Sequence, residues 1–207
     1  TYLFEIIHQT YHPPGFGVVR YITFRAAAAA VTALFIAFWL GPKIIALLRK
    51  HQIGEAAKLE APKTHLTKAG TPTMGGLIVL AAIVIPTLLW GTLTNLYVVI
   101  ILFVTIALGA VGFLDDYLKV VKKKPKGLIG RYKIAGQVFV GLVVGGIIYF
   151  FPEWIDPDLW KINSSTTVPF FKNMEIDFGM LYVPIVVFII VATSNAVNLT
   201  DGLDGLA

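Results

Sequence analysis

The longest uncharged stretch of the sequence restricts most strongly what the chain can fold into. Residues 69–114 run for 46 positions without an aspartate, glutamate, lysine or arginine. A helix that crosses the hydrocarbon core of a bilayer needs about 20 mostly apolar residues, so this stretch is long enough for two such helices. The turn-forming residues 91–95 divide it near its middle. The stretch therefore predicts two consecutive membrane-spanning helices joined by a short turn.

The composition favours a polytopic membrane protein over the other classes. The chain is 57% hydrophobic and 14% charged, whereas soluble domains carry about 25% charged residues. This apolar content excludes intrinsic disorder, and the absence of cysteine excludes a disulfide framework and a thiolate zinc site. The apolar runs are too long and too continuous for the alternating strands of a membrane barrel. We expect an all-α polytopic membrane protein, one membrane domain over residues 1–207, with five spans at about 23–48, 72–91, 96–117, 132–151 and 178–198.

The distribution of basic residues predicts the orientation of the spans. Of the 17 lysines and arginines, 13 lie in loop 41–73 or in the loop that follows the third span. Because cytoplasmic loops carry an excess of basic residues, both loops are expected in the cytoplasm and the N-terminus outside. In the acidic segment 152–177, the stretches 166–168 and 174–176 predict a small external hairpin. The chain stops where apolar sequence could resume, so we expect it to be part of a longer protein.

A pair of carboxylates lies where the third predicted span reaches the cytoplasmic face. Asp115 and Asp116 are disfavoured there by the negative end of the helix dipole and by their mutual repulsion, which is about 3 kcal/mol at an effective dielectric of 20. Mg²⁺ would compensate for this charge because it prefers oxygen ligands. Lys119, one helical turn further on, could also compensate. The pair alone leaves open a metal site or a solvated helix end paired with a lysine.

A second polar cluster follows the fifth predicted span. Asn195, Asn198, Asp201 and Asp204 recur at every third position, and Gly202 and Gly205 favour a loop over a continued helix. Carboxylates and carboxamides in such a loop can surround a metal, a phosphate or a nucleotide. Helix capping is the alternative, since Asn and Asp are good capping residues. The predicted topology places this cluster at the same membrane face as the aspartate pair.

Basic groups and a helix N-terminus are expected at that face too. The second span is predicted to begin at Thr71-Pro72, and its unpaired amides near Lys68 would form an anion site; an ordinary loop-to-helix junction is the alternative. Lys133, at the start of the fourth span, could reach a bound phosphate, whereas His65 by itself is typical of a surface histidine. The remaining lysines are expected to contact lipid headgroups, and nucleic acid is not expected because no recognition module is visible. Together these groups predict metal-assisted phosphoryl transfer from a polar donor to a lipid-borne acceptor.

Three motifs carry a resemblance to a known family. They are GTPTMGG at 70–76, GFLDDY at 112–117 and NAVNLTDGLDGLA at 195–207. In these motifs the sequence resembles the phospho-N-acetylmuramoyl-pentapeptide transferases (translocase I), within the polyprenyl-phosphate sugar-phosphate transferase superfamily. The resemblance covers the whole chain but roughly the N-terminal three-fifths of a family member. It implies a ten-span homodimer in the bacterial cytoplasmic (inner) membrane, with its active face toward the cytoplasm.

The resemblance also implies an activity and a set of site residues. The activity is Mg²⁺-dependent transfer of phospho-MurNAc-pentapeptide from UDP-MurNAc-pentapeptide to undecaprenyl phosphate, giving lipid I and UMP for peptidoglycan synthesis. Asp115 and Asp116 would bind the metal and activate the acceptor phosphate, as nucleophile or, as we favour, as base. The implied substrate-binding residues are His65, Lys68, Lys133, Asn195, Asn198, Asp201 and Asp204. A further aspartate and a histidine-rich loop of the family lie beyond residue 207, so the chain alone is expected to be inactive.

Other functions remain as alternatives. A sibling transferase would use UDP-GlcNAc, although the motifs at 71–76 and 195–207 favour the muramyl donor. A cation transporter would need charged residues deep within its spans, whereas the charges of this sequence gather near the span ends. A non-enzymatic membrane interaction module is the third alternative, and it would tolerate loss of either aspartate.

Overall fold

The computed structural model describes residues 16–50, 75–124, 127–168, 170–171 and 174–201, with the backbone alone at 16, 48–50, 120 and 199–201. Helices dominate this part of the chain. We number them α1 to α5: Ile22–Lys50, Gly76–Trp90, Leu96–Val120, Gly130–Phe150 and Tyr182–Asp201. A short 3₁₀-helix, Phe16–Arg20, precedes α1, and in the described residues three more lie between α4 and α5: Pro152–Trp154, Leu159–Lys161 and Gly179–Leu181. The predicted class, an all-α polytopic membrane protein, is confirmed.

Four helical segments are long and apolar enough to cross a membrane: Ile22–Leu47, Leu96–Lys119, Gly130–Phe150 and Gly179–Asn198. They correspond to the first, third, fourth and fifth predicted spans. The second predicted span coincides with α2, an apolar helix of 15 residues, which is about 22 Å long at 1.5 Å per residue. Because the hydrocarbon core is about 30 Å thick, the count of five spans and their limits stay predictions.

The chain divides into two compact units. The first contains the described residues of Thr1–Thr94 and Ile101–Leu128, and the second contains Asn95–Ile100 and the described residues of Ile129–Ala207. The first unit therefore holds α1, α2 and most of α3, while the second holds α4, α5 and the segment between them. The expectation of one membrane domain over the whole chain stays a prediction.

In the first unit, α1 and α2 pack antiparallel. Arg25 Nη1 donates to Thr92 Oγ1 at 2.7 Å, next to the turn after α2. About two turns further along α1, Thr32 Oγ1 accepts from Trp90 Nε1 at 3.0 Å. Gly41, near the other end of α1, lies against the first turn of α2. The turn at 91–95 thus joins two successive helices, as the sequence predicted.

In the second unit, α4 and α5 pack antiparallel through a stripe of small and medium residues. The buried residues of α4 are Gln137, Val140, Gly141, Val144 and Gly145. Their spacing of three and four residues places them on one helix face. A Cβ added to Gly141 would lie 2.8 Å from Val187 Cα, and one added to Gly145 would lie 3.3 Å from Val183 Cα. The glycines let the two backbones approach closely, as is usual for paired membrane helices.

A two-stranded hairpin lies between α4 and α5. Its strands β1 (Ser165–Thr167) and β2 (Glu175–Asp177) are antiparallel, with Ser165 opposite Asp177. The predicted hairpin is confirmed, although each strand is shifted by one residue from the predicted limits toward the neighbouring helix. The shift follows from the closing contact, in which Asp177 Oδ1 accepts from Ser164 Oγ at 2.6 Å and from Gly179 N at 2.9 Å. Its location outside the cell stays a prediction.

Candidate functional site

Asp115 lies five residues before the C-terminal end of α3 and is buried, with 6% of its surface exposed. Lys119 Nζ, one helical turn further on, donates to its Oδ2 at 2.8 Å. The backbone N–H of Leu128 donates to its Oδ1 at 2.9 Å. The carboxylate thus joins its own helix to the loop that follows. Lys119, which the sequence offered as an alternative source of compensating charge, does contact Asp115.

Gly127 closes this loop around the carboxylate. Its φ is +56°, in the left-handed region that favours glycine. A Cβ added to Gly127 would overlap Asp115 Oδ1 and would lie 2.6 Å from Lys119 Cε. Gly127 was not among the predicted site residues, and its only signal in the sequence is its place directly after a basic run. We call Asp115, Lys119, Gly127 and Leu128 the aspartate clamp.

Asp116 differs from its neighbour in exposure and direction. Successive residues of an α-helix are turned by about 100°, so the two carboxylates of the pair leave α3 from different faces. Asp116 is half-buried. The two adjacent aspartates, which the sequence presents as one pair, therefore lie in different environments. Asp115 belongs to the clamp, and Asp116 has more solvent access.

The other described site residues lie in the second unit. Lys133 is half-buried in the first turn of α4. Asn195 is half-buried on α5, and its Nδ2 donates to Gln137 Oε1 at 2.7 Å and to Val191 O at 2.8 Å. Asn198 is exposed, three residues nearer the end of the same helix. Gln137 was not among the site residues predicted from the sequence, although a glutamine inside an apolar span is a usable signal.

Several predicted site residues fall outside the described residues. They are His65, Lys68 and Asp204, together with the predicted helix start at Thr71-Pro72; at Asp201 the backbone of α5 is described but the side chain is not. Among the side chains that the structure describes, no group of three or more His, Cys, Asp or Glu could hold a metal by itself. Mg²⁺ is commonly held by one or two carboxylates together with substrate phosphates and water. The carboxylates of Asp115 and Asp116 fit that donor set.

The fold and these polar groups define the class of protein: a polytopic α-helical membrane protein with carboxylates, carboxamides and lysines near the ends of apolar helices. Comparison with known proteins gives the family. The chain belongs to glycosyl transferase family 4, whose profile matches residues 98–207. Residues 68–80 match phospho-N-acetylmuramoyl-pentapeptide-transferase signature 1. The resemblance inferred from the motifs is therefore confirmed.

Curated relatives match the entire chain. A phospho-N-acetylmuramoyl-pentapeptide-transferase from Chloroherpeton thalassium is 53% identical over 206 residues, which are 100% of this chain and 54% of the relative. Proteins of the same name from Chlorobium chlorochromatii and Chlorobaculum parvum are 51% and 48% identical over the same coverage. The chain spans about half the length of the curated relatives it matches.

Proposed function

We propose that the full-length protein transfers phospho-MurNAc-pentapeptide from UDP-MurNAc-pentapeptide to undecaprenyl phosphate, forming lipid I and UMP for peptidoglycan synthesis. The observation that carries this proposal is the 53% identity, over the whole chain, to a protein named phospho-N-acetylmuramoyl-pentapeptide-transferase. The signature at residues 68–80 adds support, because it is specific to that name rather than to the wider family. We also propose that the protein acts as a homodimer.

The active face is proposed to be cytoplasmic, in the bacterial inner membrane, with the N-terminus outside. Lys122, Lys123 and Lys124 are exposed directly after α3, close in sequence to Asp116. Basic loops remain preferentially in the cytoplasm, so this end of α3 is expected on that side. A water-soluble nucleotide donor would then meet the aspartates at the surface, while the lipid acceptor reaches them from the bilayer.

The chemistry assigns different roles to the two aspartates. An oxygen of the acceptor phosphate attacks the sugar-linked phosphorus of the donor, a new phosphoanhydride bond forms, and the bond to UMP breaks. Asp116, with more solvent access, is proposed to accept the acceptor's proton and to face the metal. Asp115, held by Lys119 and Leu128 N, is proposed to keep the end of α3 in place while retaining lone pairs for the metal. Mg²⁺, when bound, neutralises charge on the phosphate oxygens.

The basic and amide groups are proposed to bind the donor. Lys68 and Lys133 would contact phosphate oxygens as point charges. Asn195, Asn198, Asp201 and Asp204 would contact the nucleotide-sugar, and His65 would lie in the same cytoplasmic loop as Lys68. None of these contacts requires a covalent enzyme intermediate, which is why a single displacement is favoured.

The test uses the full-length protein in detergent with undecaprenyl phosphate and either UDP-MurNAc-pentapeptide or UDP-GlcNAc. We expect UMP release with the muramyl donor. The release should stop when EDTA is added and should return when Mg²⁺ is added. Asp116→Asn should lower kcat by about 100-fold or more, the usual contribution of a general base. Asp177→Asn, in the hairpin, is the matched carboxylate control and should retain activity. Equal turnover of UDP-GlcNAc, or full activity of Asp116→Asn, would contradict the proposal.

A further inference from the structure

Gln137 is a buried polar residue of α4 that no motif includes. Only 5% of its surface is exposed, and it lies on the same α4 stripe as Val140 and Val144. A polar side chain inside a membrane helix is costly unless it is hydrogen-bonded. Gln137 Oε1 accepts from Asn195 Nδ2 at 2.7 Å. The buried glutamine therefore contacts one of the residues that the family resemblance assigns to donor binding.

This contact determines what Asn195 can offer to a ligand. A carboxamide has two N–H donors and one acceptor oxygen. Asn195 Nδ2 donates to Gln137 Oε1 and also to Val191 O, four residues earlier on its own helix. Both donors are thus engaged inside the α4–α5 pair. The remaining hydrogen-bonding group is Oδ1, which accepts from none of the residues that the structure describes.

We propose that Gln137 is a positioning residue that holds the Asn195 carboxamide so that it presents only its oxygen to the nucleotide-sugar donor. The group recognised would be an N–H or O–H of that donor, such as those of an amide, an imide or a sugar hydroxyl. This inference rests on the proposed function, because Asn195 enters the site through the donor-binding motif. Without Gln137 the carboxamide could rotate and present either end.

The expected effect is on affinity for the donor alone. Orientation of one neutral hydrogen bond contributes about 0.5–1.5 kcal/mol, so its loss corresponds to an increase of about 2- to 13-fold in donor KM. The KM for the lipid acceptor should not change, because Asn195 is assigned to the donor. A purely structural role of Gln137 would lower thermal stability without separating the two substrates.

The experiment compares Gln137→Leu and Gln137→Glu in the full-length protein, with donor KM, acceptor KM and kcat measured for each. Gln137→Leu removes the acceptor oxygen at similar size and should raise donor KM by about 2- to 13-fold. Gln137→Glu keeps an oxygen at the same reach and should stay within about twofold of the original KM. Val144→Ala is the packing control: it removes buried volume from the same stripe, and should lower Tm but not change donor KM.

A double-mutant cycle tests whether Gln137 acts through Asn195. In an Asn195→Ala background, Gln137→Leu should cause no further change in donor KM. A rise that persists in this background, or equal rises in both KM values, would overturn the inference. If Gln137→Leu does not fold, Gln137→Met gives the same comparison with a more adaptable side chain.

Equilibrium binding of UDP-MurNAc-pentapeptide, without acceptor, separates the inference from the proposed function. Weaker binding by Gln137→Leu than by the unchanged protein supports the positioning role. Unchanged binding by the variant overturns it even if the enzyme is active. No UMP release by the unchanged protein would instead contradict the proposed function, and absence of any donor binding would contradict both.

Discussion

Gly127→Ala tests the aspartate clamp with a single methyl group. Gly127 has a φ of +56°, and a Cβ there would overlap Asp115 Oδ1. That oxygen accepts from Leu128 N at 2.9 Å. The new methyl group can be accommodated only if the loop backbone moves or the carboxylate turns away. We expect either movement to break the hydrogen bond between Asp115 and Leu128.

Two costs determine the size of the effect. A non-glycine residue in the left-handed region costs about 1–2 kcal/mol. Loss of a hydrogen bond to a charged group costs about 1.5–3 kcal/mol. Together they reduce the local stability of the loop by about 2.5–5 kcal/mol, which corresponds to a roughly 60-fold or greater increase in local opening. The effect should remain local, because residues 127–128 end the loop rather than form a helix.

Hydrogen exchange of the Leu128 amide is the assay, since exchange reports local opening. Gly127→Ala should increase the Leu128 exchange rate by at least about 60-fold, up to the limit set by the loop's own stability. Gly130→Ala is the matched control: a Cβ there meets nothing within 4 Å, so Leu128 should exchange at its original rate. Unchanged Leu128 exchange in Gly127→Ala would refute the clamp.

Two further predictions concern the second unit. Gly141→Ala should destabilise the α4–α5 pair by about 1–3 kcal/mol, because its Cβ would lie 2.8 Å from Val187 Cα. Gly146→Ala is the control and should not destabilise the pair, because its Cβ meets nothing within 4 Å. Thermal unfolding in detergent distinguishes the two variants. The Ser164 hydroxyl and then the Gly179 N–H lower the pKa of Asp177 below its usual 3.8. The contact of Ser164 and Gly179 with the Asp177 carboxylate therefore stabilises the hairpin above about pH 4. This stabilisation is lost as the pH falls through the lowered pKa of Asp177. Ser164→Ala should raise the pKa of Asp177 in an NMR titration, and an unchanged pKa would contradict this cause.

The sequence was sufficient for the features that depend on local pattern. Continuous apolar runs predicted five spans, and four of them coincide with helices that are long and apolar enough to cross a membrane. Two short strand-like stretches predicted the hairpin to within one residue. Lys119 was one of two expected sources of compensating charge for Asp115, because a spacing of four residues on a helix brings side chains together, and the structure has this ion pair.

Features that depend on tertiary contact were not predictable. Leu128 N reaches Asp115 from 13 residues away through a loop containing a left-handed glycine, and no sequence period encodes that approach. The Gln137–Asn195 contact depends on the register of α4 against α5, which is set by packing at the glycines of the stripe. The sequence holds a partial signal in Gly141 and Gly145, whose spacing is typical of close helix pairs.

The proposed function requires the acidic end of α3 and the polar end of α5 to face the cytoplasm, the side from which a water-soluble nucleotide donor arrives. Single cysteines at Lys122 and Val197, both exposed in the structure, can be labelled with a membrane-impermeant reagent in a cysteine-free full-length protein. The exposed Trp160 supplies a control position in the segment predicted to be external. We predict labelling of the first two cysteines from the cytoplasmic side and of the third from outside; labelling of positions 122 and 197 from opposite sides would contradict a shared cytoplasmic face.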